Sequence, residues 1–151
     1  MVRNYKRYNI YYLSYDFALE IYKLTESFPQ NEWNGLSSQM RRAAVSVSAN
    51  IAEGSTRKSE REFLYFLNIS FGSGKELEFL LSFAKDVGYI DENKYAVLNE
   101  KLSEVVAKIF MFKKKVNENS NSTFRQKIHQ NLRETVGYSD EKKEKIVQRV
   151  G

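Results

Sequence analysis

Tyr95, Leu98, Leu102, Val105, Ile109, Phe112 and Val116 alternate steps of three and four without a miss. No other feature constrains the fold of this chain as strongly. Such a seam runs along one side of an α-helix and needs other helices to cover it, and the chain supplies them. Ile10, Leu13, Phe17, Ile21, Leu24 and Phe28 recur at the same steps and predict a first helix over about residues 8–27. Pro29 ends it, because proline cannot continue a helix and biases its predecessor out of the helical region, so residues 29–35 are expected as a loop. Ser59 with Glu62 three residues on has the form of a capping box. The apolar run from Phe63 to Ala84 that follows predicts a helix over 60–87, stopped by Gly88, and Asp91 then caps a last helix over 91–117. Gly72 and Gly74 cost about 1 kcal/mol each against Ala inside a helix. They read as a packing crossover where a neighbouring backbone comes close.

Residues 36–55 form the remaining helix, and a wheel sorts them into three faces. Leu36, Met40, Ala43, Val47 and Ile51 make an apolar face, and Val45, Ser48, Ala49 and Ala52 a second face of small residues. Arg42, Ser46, Asn50, Glu53 and Arg57 fall on the narrow third. A helix covered on two sides is mostly buried, so this polar stripe is expected at an oligomer interface or a water-lined lumen. Gly54 reads as the helix C-terminus.

Seven Gly and one Pro among 151 residues are too few for the turns of a sandwich or barrel. The fold class is therefore all-α, and short loops between four helices imply an antiparallel, up-down-up-down four-helix bundle. The bundle domain is placed at residues 1–118. The run Asn117-Glu118-Asn119-Ser120-Asn121-Ser122 favours turns because its side chains compete for backbone hydrogen bonds. Residues 119–151 are expected to be a flexible charged tail, partly helical or disordered, with weakly helical stretches at about 124–134 and 140–150 around Gly137. Without Cys there is no disulfide or thiolate chemistry. Asp16 and Glu20 break the apolar stretch a signal peptide would need, and no run approaches a membrane span, so a cytoplasmic location is expected.

Catalysis finds no equipment. His129 is the one His, so neither a His-based triad nor a multi-His metal site can be built. Glu53, Glu76 and Glu78 lack the His partners of a bundle di-metal site, and Gly72-Ser73-Gly74-Lys75 lacks the spacing of a phosphate loop. No cofactor is expected. The charge is mildly basic: +2 over residues 1–118, from 17 basic and 15 acidic side chains, and +3 over residues 119–151, from 7 and 4. Arg41, Arg42, Arg57, Lys58 and Arg61 cluster at the ends of the second helix and the start of the third, where they could neutralise phosphates. The structural alternative pairs Arg42 and Arg57 with Glu53 and leaves Lys58 and Arg61 solvated. Lys113, Lys114 and Lys115 also suit a helix C-terminus. Tyr5, Tyr8, Tyr11, Tyr12 and Tyr15 interleave with Arg3, Lys6 and Arg7, a pattern that serves either base stacking or helix packing.

Phe28-Pro29, Glu32, Gly35-Leu36, Gln39, Arg41-Arg42-Ala43-Ala44, Ser46, Asn50-Ile51-Ala52-Glu53-Gly54, Phe63, Gly72-Ser73, Glu76 and Gly88-Tyr89-Ile90 together resemble the 23S rRNA-intervening sequence protein family. These are four-helix-bundle proteins first noticed inside intervening sequences of bacterial large-subunit ribosomal RNA genes. The likeness spans about residues 8–115. It implies a homopentamer of bundles around a central channel, and a more distant relation to the accessory variability determinant proteins of diversity-generating retroelements, which bind a reverse transcriptase and nucleic acid. The expected function is a non-enzymatic, homo-oligomeric scaffold that binds RNA or DNA through Arg41, Arg57, Lys58 and Arg61, with Arg42, Ser46, Asn50 and Glu53 as the buried stripe or subunit contact. The alternative is a protein-interaction module, such as an accessory subunit of a reverse transcriptase or another nucleic-acid enzyme.

Overall fold

The structure, a computed structural model, describes the backbone of residues 3–136 and side chains as far as residue 131. The chain divides into two units, Met1–Asn117 and Glu118–Gly151. Helices α1 (Asn9–Thr25), α2 (Leu36–Ser55), α3 (Glu60–Asp86) and α4 (Glu92–Val136) follow in order, with single 3-10 turns at Tyr5–Arg7 and Gln30–Glu32. No strand occurs among the described residues. The fold is all-α.

Two apolar layers order the first unit. One joins Phe17 and Ile21 of α1, Met40 and Ala44 of α2, Leu77 and Leu81 of α3, and Leu98 and Leu102 of α4. The other joins Ile10, Val47 and Ile51, Phe63 and Leu67, and Val105 and Ile109. Successive helices meet the two layers in opposite order, which is the up-down-up-down arrangement read from the short loops. The heptad residues Leu98, Leu102, Val105 and Ile109 are all buried, and each such side chain contributes about 1.5–3 kcal/mol on leaving water.

The helix ends follow local chemistry. Ser59 and Glu62 form the expected capping box, with the Ser59 hydroxyl accepting from the Glu62 N–H at 3.1 Å. Gly88 takes φ +84° after α3, where the Gly88 N–H donates to Lys85 at 2.9 Å and the Tyr89 N–H to Ala84 at 2.9 Å. This Schellman closure needs a left-handed residue, which glycine supplies without strain. The Lys94 N–H donates to the Asp91 carboxylate at 2.7 Å at the start of α4. Gly35 precedes α2 and has no side chain to cap it, so the Glu32 carboxylate reaches forward to accept from the Leu36 N–H at 2.9 Å. Its other oxygen accepts from the Tyr89 hydroxyl at 2.9 Å, tying the α1–α2 loop to the α3–α4 loop.

Several expectations need correction. Gly54 is no helix terminus: α2 runs through it to Ser55, and a Cβ there would stand 2.6 Å from Phe66 Cβ, so glycine permits close approach of α3. Only Gly74 marks a crossover, since a Cβ on it would meet Val106 at 2.9 Å while Gly72 faces open space. The second covered face of α2 is largely open, with Ser48 buried but Val45 and Ala49 exposed. Helix α4 does not stop near Asn117. It continues to Val136 through the Asn- and Ser-rich run, where the Ser122 and Thr123 hydroxyls donate back to the Asn119 carbonyl at 2.8 and 3.0 Å. Gly137 and the stretch 140–150 lie outside the described residues.

Two outcomes follow for stability. Gly72→Ala is expected to raise it by about 0.5–1 kcal/mol, whereas Gly74→Ala forfeits that gain through its clash with Val106; urea unfolding of the two variants checks this. The Leu36 N–H, and next the Tyr89 hydroxyl, hold the Glu32 carboxyl below its ordinary range. Its stabilising contribution is therefore complete above that range and disappears as the pH falls through the lowered value. In thermal unfolding across acid pH, Glu32→Gln should flatten this dependence.

Candidate nucleic-acid interface

Because α1 and α3 begin where α2 ends, the N-terminal segment, the α2–α3 loop and the Lys-rich stretch of α4 gather at one end of the bundle. Arg3 fixes the first of these. Its N–H donates to the Ser55 carbonyl at 3.2 Å and its Nη1 to the Arg57 carbonyl at 2.9 Å, while its guanidinium lies 4.8 Å over the Phe63 ring. Asn4 caps the following turn and places Lys6 and Arg7 beside it. Arg57 donates to Glu53 at 2.5 Å and covers the Phe66 ring at 4.6 Å, leaving its buried Nε without an acceptor. Lys58 and Arg61 are exposed and make no ion pair among the described residues. Lys113 sits 4.6 Å over Phe71, with Lys114 and Lys115 exposed beside it.

Nine basic side chains therefore surround this end, against Glu53, Glu60 and Glu62, a local charge of +6. The unit Met1–Asn117 carries 17 basic and 14 acidic residues, +3, so the rest of it carries −3. The charge is polarised along the bundle to a degree the net value hides.

The expected site residues separate accordingly. Arg57, Lys58 and Arg61 are brought together with Arg3, Lys6 and Arg7. Arg41 is not among them: it lies 16 residues before Arg57, about 24 Å along the helix axis. There its Nε donates to the Thr25 hydroxyl at 2.7 Å and its guanidinium covers Tyr22 at 4.9 Å. The stripe on α2 finds partners within the chain. Asn50 donates to the Ser46 carbonyl and hydroxyl at 2.8 and 2.9 Å, Ser46 shares a hydrogen bond with Ser73 at 2.8 Å, and Glu53 takes Arg57. Arg42, three turns from Glu53, is exposed beside Tyr22, Val45 and Glu76 in a groove of about 570 Å3 and has no partner among the described residues.

The N-terminal tyrosines divide between packing and solvent. Tyr8 packs on Phe112 at 4.8 Å and Phe63 at 6.1 Å, and Tyr11 on Tyr5 at 4.7 Å. Burial, opposed for Tyr8 by Arg3, raises the pKa of both phenols and keeps them neutral. Tyr12 and Tyr15 stay exposed. Sequence reasoning missed the outward row on α3, where Tyr65, Ile69, Phe79, Phe83 and Val87 are 62%, 36%, 65%, 47% and 43% exposed. Its signal was available as four-residue steps, Tyr65 to Ile69 and Phe79 through Phe83 to Val87, beside the core stripe. Among the described residues no group of three or more His, Cys, Asp or Glu could hold a metal, and no helix is long and apolar enough to cross a membrane.

Comparison with known proteins agrees with this architecture. A comparison with curated proteins finds no match. Among solved structures, a protein of unknown function from the S23 ribosomal protein family of Bacteroides thetaiotaomicron superimposes with a TM-score of 0.64 at 24% identity, covering 70% of this chain and 95% of that one. This likeness shows the shared fold. The family model for the 23S rRNA-intervening sequence protein matches residues 6–111, from the turn that carries Lys6 and Arg7 to the last buried turn of α4, and the chain belongs to that family.

Proposed function

We propose that this chain is a non-enzymatic, self-associating scaffold of the cytoplasm that binds RNA or DNA at the basic end of its bundle. The observation that carries the reading is the convergence there of Arg3, Lys6 and Arg7 with Arg57, Lys58 and Arg61. Arg3 and Arg57 are paired with Glu60 and Glu53, while Lys6, Arg7, Lys58 and Arg61 make no ion pair among the described residues; cations so placed attract phosphates and release their counterions. Arg41 is left out of this surface and holds the α1–α2 contact.

Self-association draws support from α3. Phe79, Phe83 and Val87 expose apolar surface on successive turns of α3, with Ile69 further back on the same side beyond Gly72 and Glu76, and an apolar patch of this kind marks a contact with another protein. A pentamer, as the family resemblance implies, repeats the basic end five times around an axis. The open Val45 and Ala49 side of α2, with exposed Arg42, gives such a contact a second surface. The same α3 row supports the rival reading, in which the occupant is a different protein and the scaffold is an accessory subunit.

In filter binding, the intact chain should bind RNA or DNA with an affinity that falls steeply with salt. The double change Lys58→Glu and Arg61→Glu should weaken it at least about tenfold and lower the salt slope by about two, while Arg41→Gln leaves it near wild type. Absence of binding at low salt would end the nucleic-acid reading. In sedimentation velocity, the native chain is expected as a pentamer and Phe79→Glu with Phe83→Glu as a monomer. A native monomer would leave the accessory-subunit reading standing.

A further inference from the structure

Arg57, Arg61, Glu62, Tyr65 and Phe66 line an open hollow of about 550 Å3 at the basic end. Its chemistry is not that of a plain phosphate patch. The Tyr65 ring is 62% exposed and is held edge-on by Phe66, with ring centres 5.5 Å apart at 86°. Phe66 in turn lies beneath the Arg57 guanidinium at 4.6 Å. Arg61 is one turn before Tyr65 on the same side of α3, where residues four apart are neighbours. Glu62 is fixed as well: the Ser59 hydroxyl donates to its carboxylate at 2.6 Å and keeps it ionised.

We infer that this hollow takes one unstacked nucleotide of a single strand, its base against Tyr65, its phosphate on Arg61, and an exocyclic amino group at Glu62. The inference rests on the nucleic-acid reading above and narrows it to single strands. An exposed aromatic face has little to offer a duplex, whose base faces are occupied by their neighbours, whereas single-strand binders combine cations with aromatic stacking. Glu62 would repel a phosphate and accept from an amino group, so it favours a base edge at its own position. Among the described residues the one ring contact of Tyr65 is to half-buried Phe66, which lies outside both core layers.

Fluorescence anisotropy with labelled oligocytidine, oligodeoxycytidine and a mixed-sequence duplex tests this on the full chain. Tyr65→Ala should weaken both single strands about 5- to 150-fold, the range of one lost stack, and change duplex binding less than about twofold. Tyr65→Phe should keep single-strand affinity. If Tyr65→Ala binds single strands like the native chain while Lys58→Glu with Arg61→Glu does not, the nucleic-acid reading stands and the stacking subsite is overturned. Equal losses for single strand and duplex would overturn it too, as would an unchanged affinity accompanied by altered sedimentation, which would place Tyr65 in a contact between copies. If the native chain binds no strand at low salt, both readings fall together.

Discussion

The close seam between α2 and α3 is the constraint on which the rest of the first unit depends. Small residues make it. Gly54 lets the α3 backbone approach until only a hydrogen fits against Phe66. Ser70, fully buried, donates to the Val47 carbonyl at 2.8 Å, and Ser46 meets Ser73 at the same distance. Larger side chains would push the helices apart and strand these hydroxyls without partners, at about 1–3 kcal/mol for each unsatisfied buried group. The same proximity lays Arg57 across Phe66 and sets Arg61 beside it, so the charged end takes its shape from glycine and serine rather than from its own ion pairs. The pairs present there are weak anchors. Arg57 with Glu53 is a single-turn surface pair, worth at most about 0.5 kcal/mol.

At the opposite end the unit is closed by polar chemistry of a different kind. Glu32 satisfies an orphan donor of α2 and holds Tyr89, which packs on Phe28 with ring centres 5.3 Å apart. One carboxylate thus joins two loops distant in sequence, and hydrogen bonds to its charged form explain both its lowered pKa and the raised pKa of Tyr89. Both shifts favour the same pair of states, ionised Glu32 and neutral Tyr89, across the neutral range.

Much of this was legible in the sequence, and the exceptions have physical causes. The starts of α2 and α3, and the cores of all four helices, follow from periodicity and capping because those signals act within a turn or two. Gly54 misled because a glycine near a helix end looks alike whether it turns the chain or admits a neighbour; only the position of Phe66, 12 residues on, decides. Gly72 and Gly74 differ by Val106, which arrives from another helix. The Asn- and Ser-rich run misled because its hydroxyls bond back to Asn119 and continue the helix, an outcome its composition permits but does not favour. On the polar stripe of α2, the partner that Ser46 finds within the chain, Ser73, lies 27 residues away and has no local signature. The basic clusters were each visible, but their meeting at one end depends on Arg3 docking on Ser55 and Arg57, a long-range contact without a local signature.

The separation of +6 at one end from −3 over the remainder makes the unit a dipole more than a weakly basic sphere. The field of a polyanion would turn such a body basic end first, an orientation that its net charge alone would not impose. Two copies of the first unit aligned side by side would bring like poles together, and at physiological salt that repulsion is confined to about 8 Å. A phosphate chain laid across both poles would cancel it, so anion capture and lateral packing of the units would reinforce one another thermodynamically, each lowering the free energy of the other.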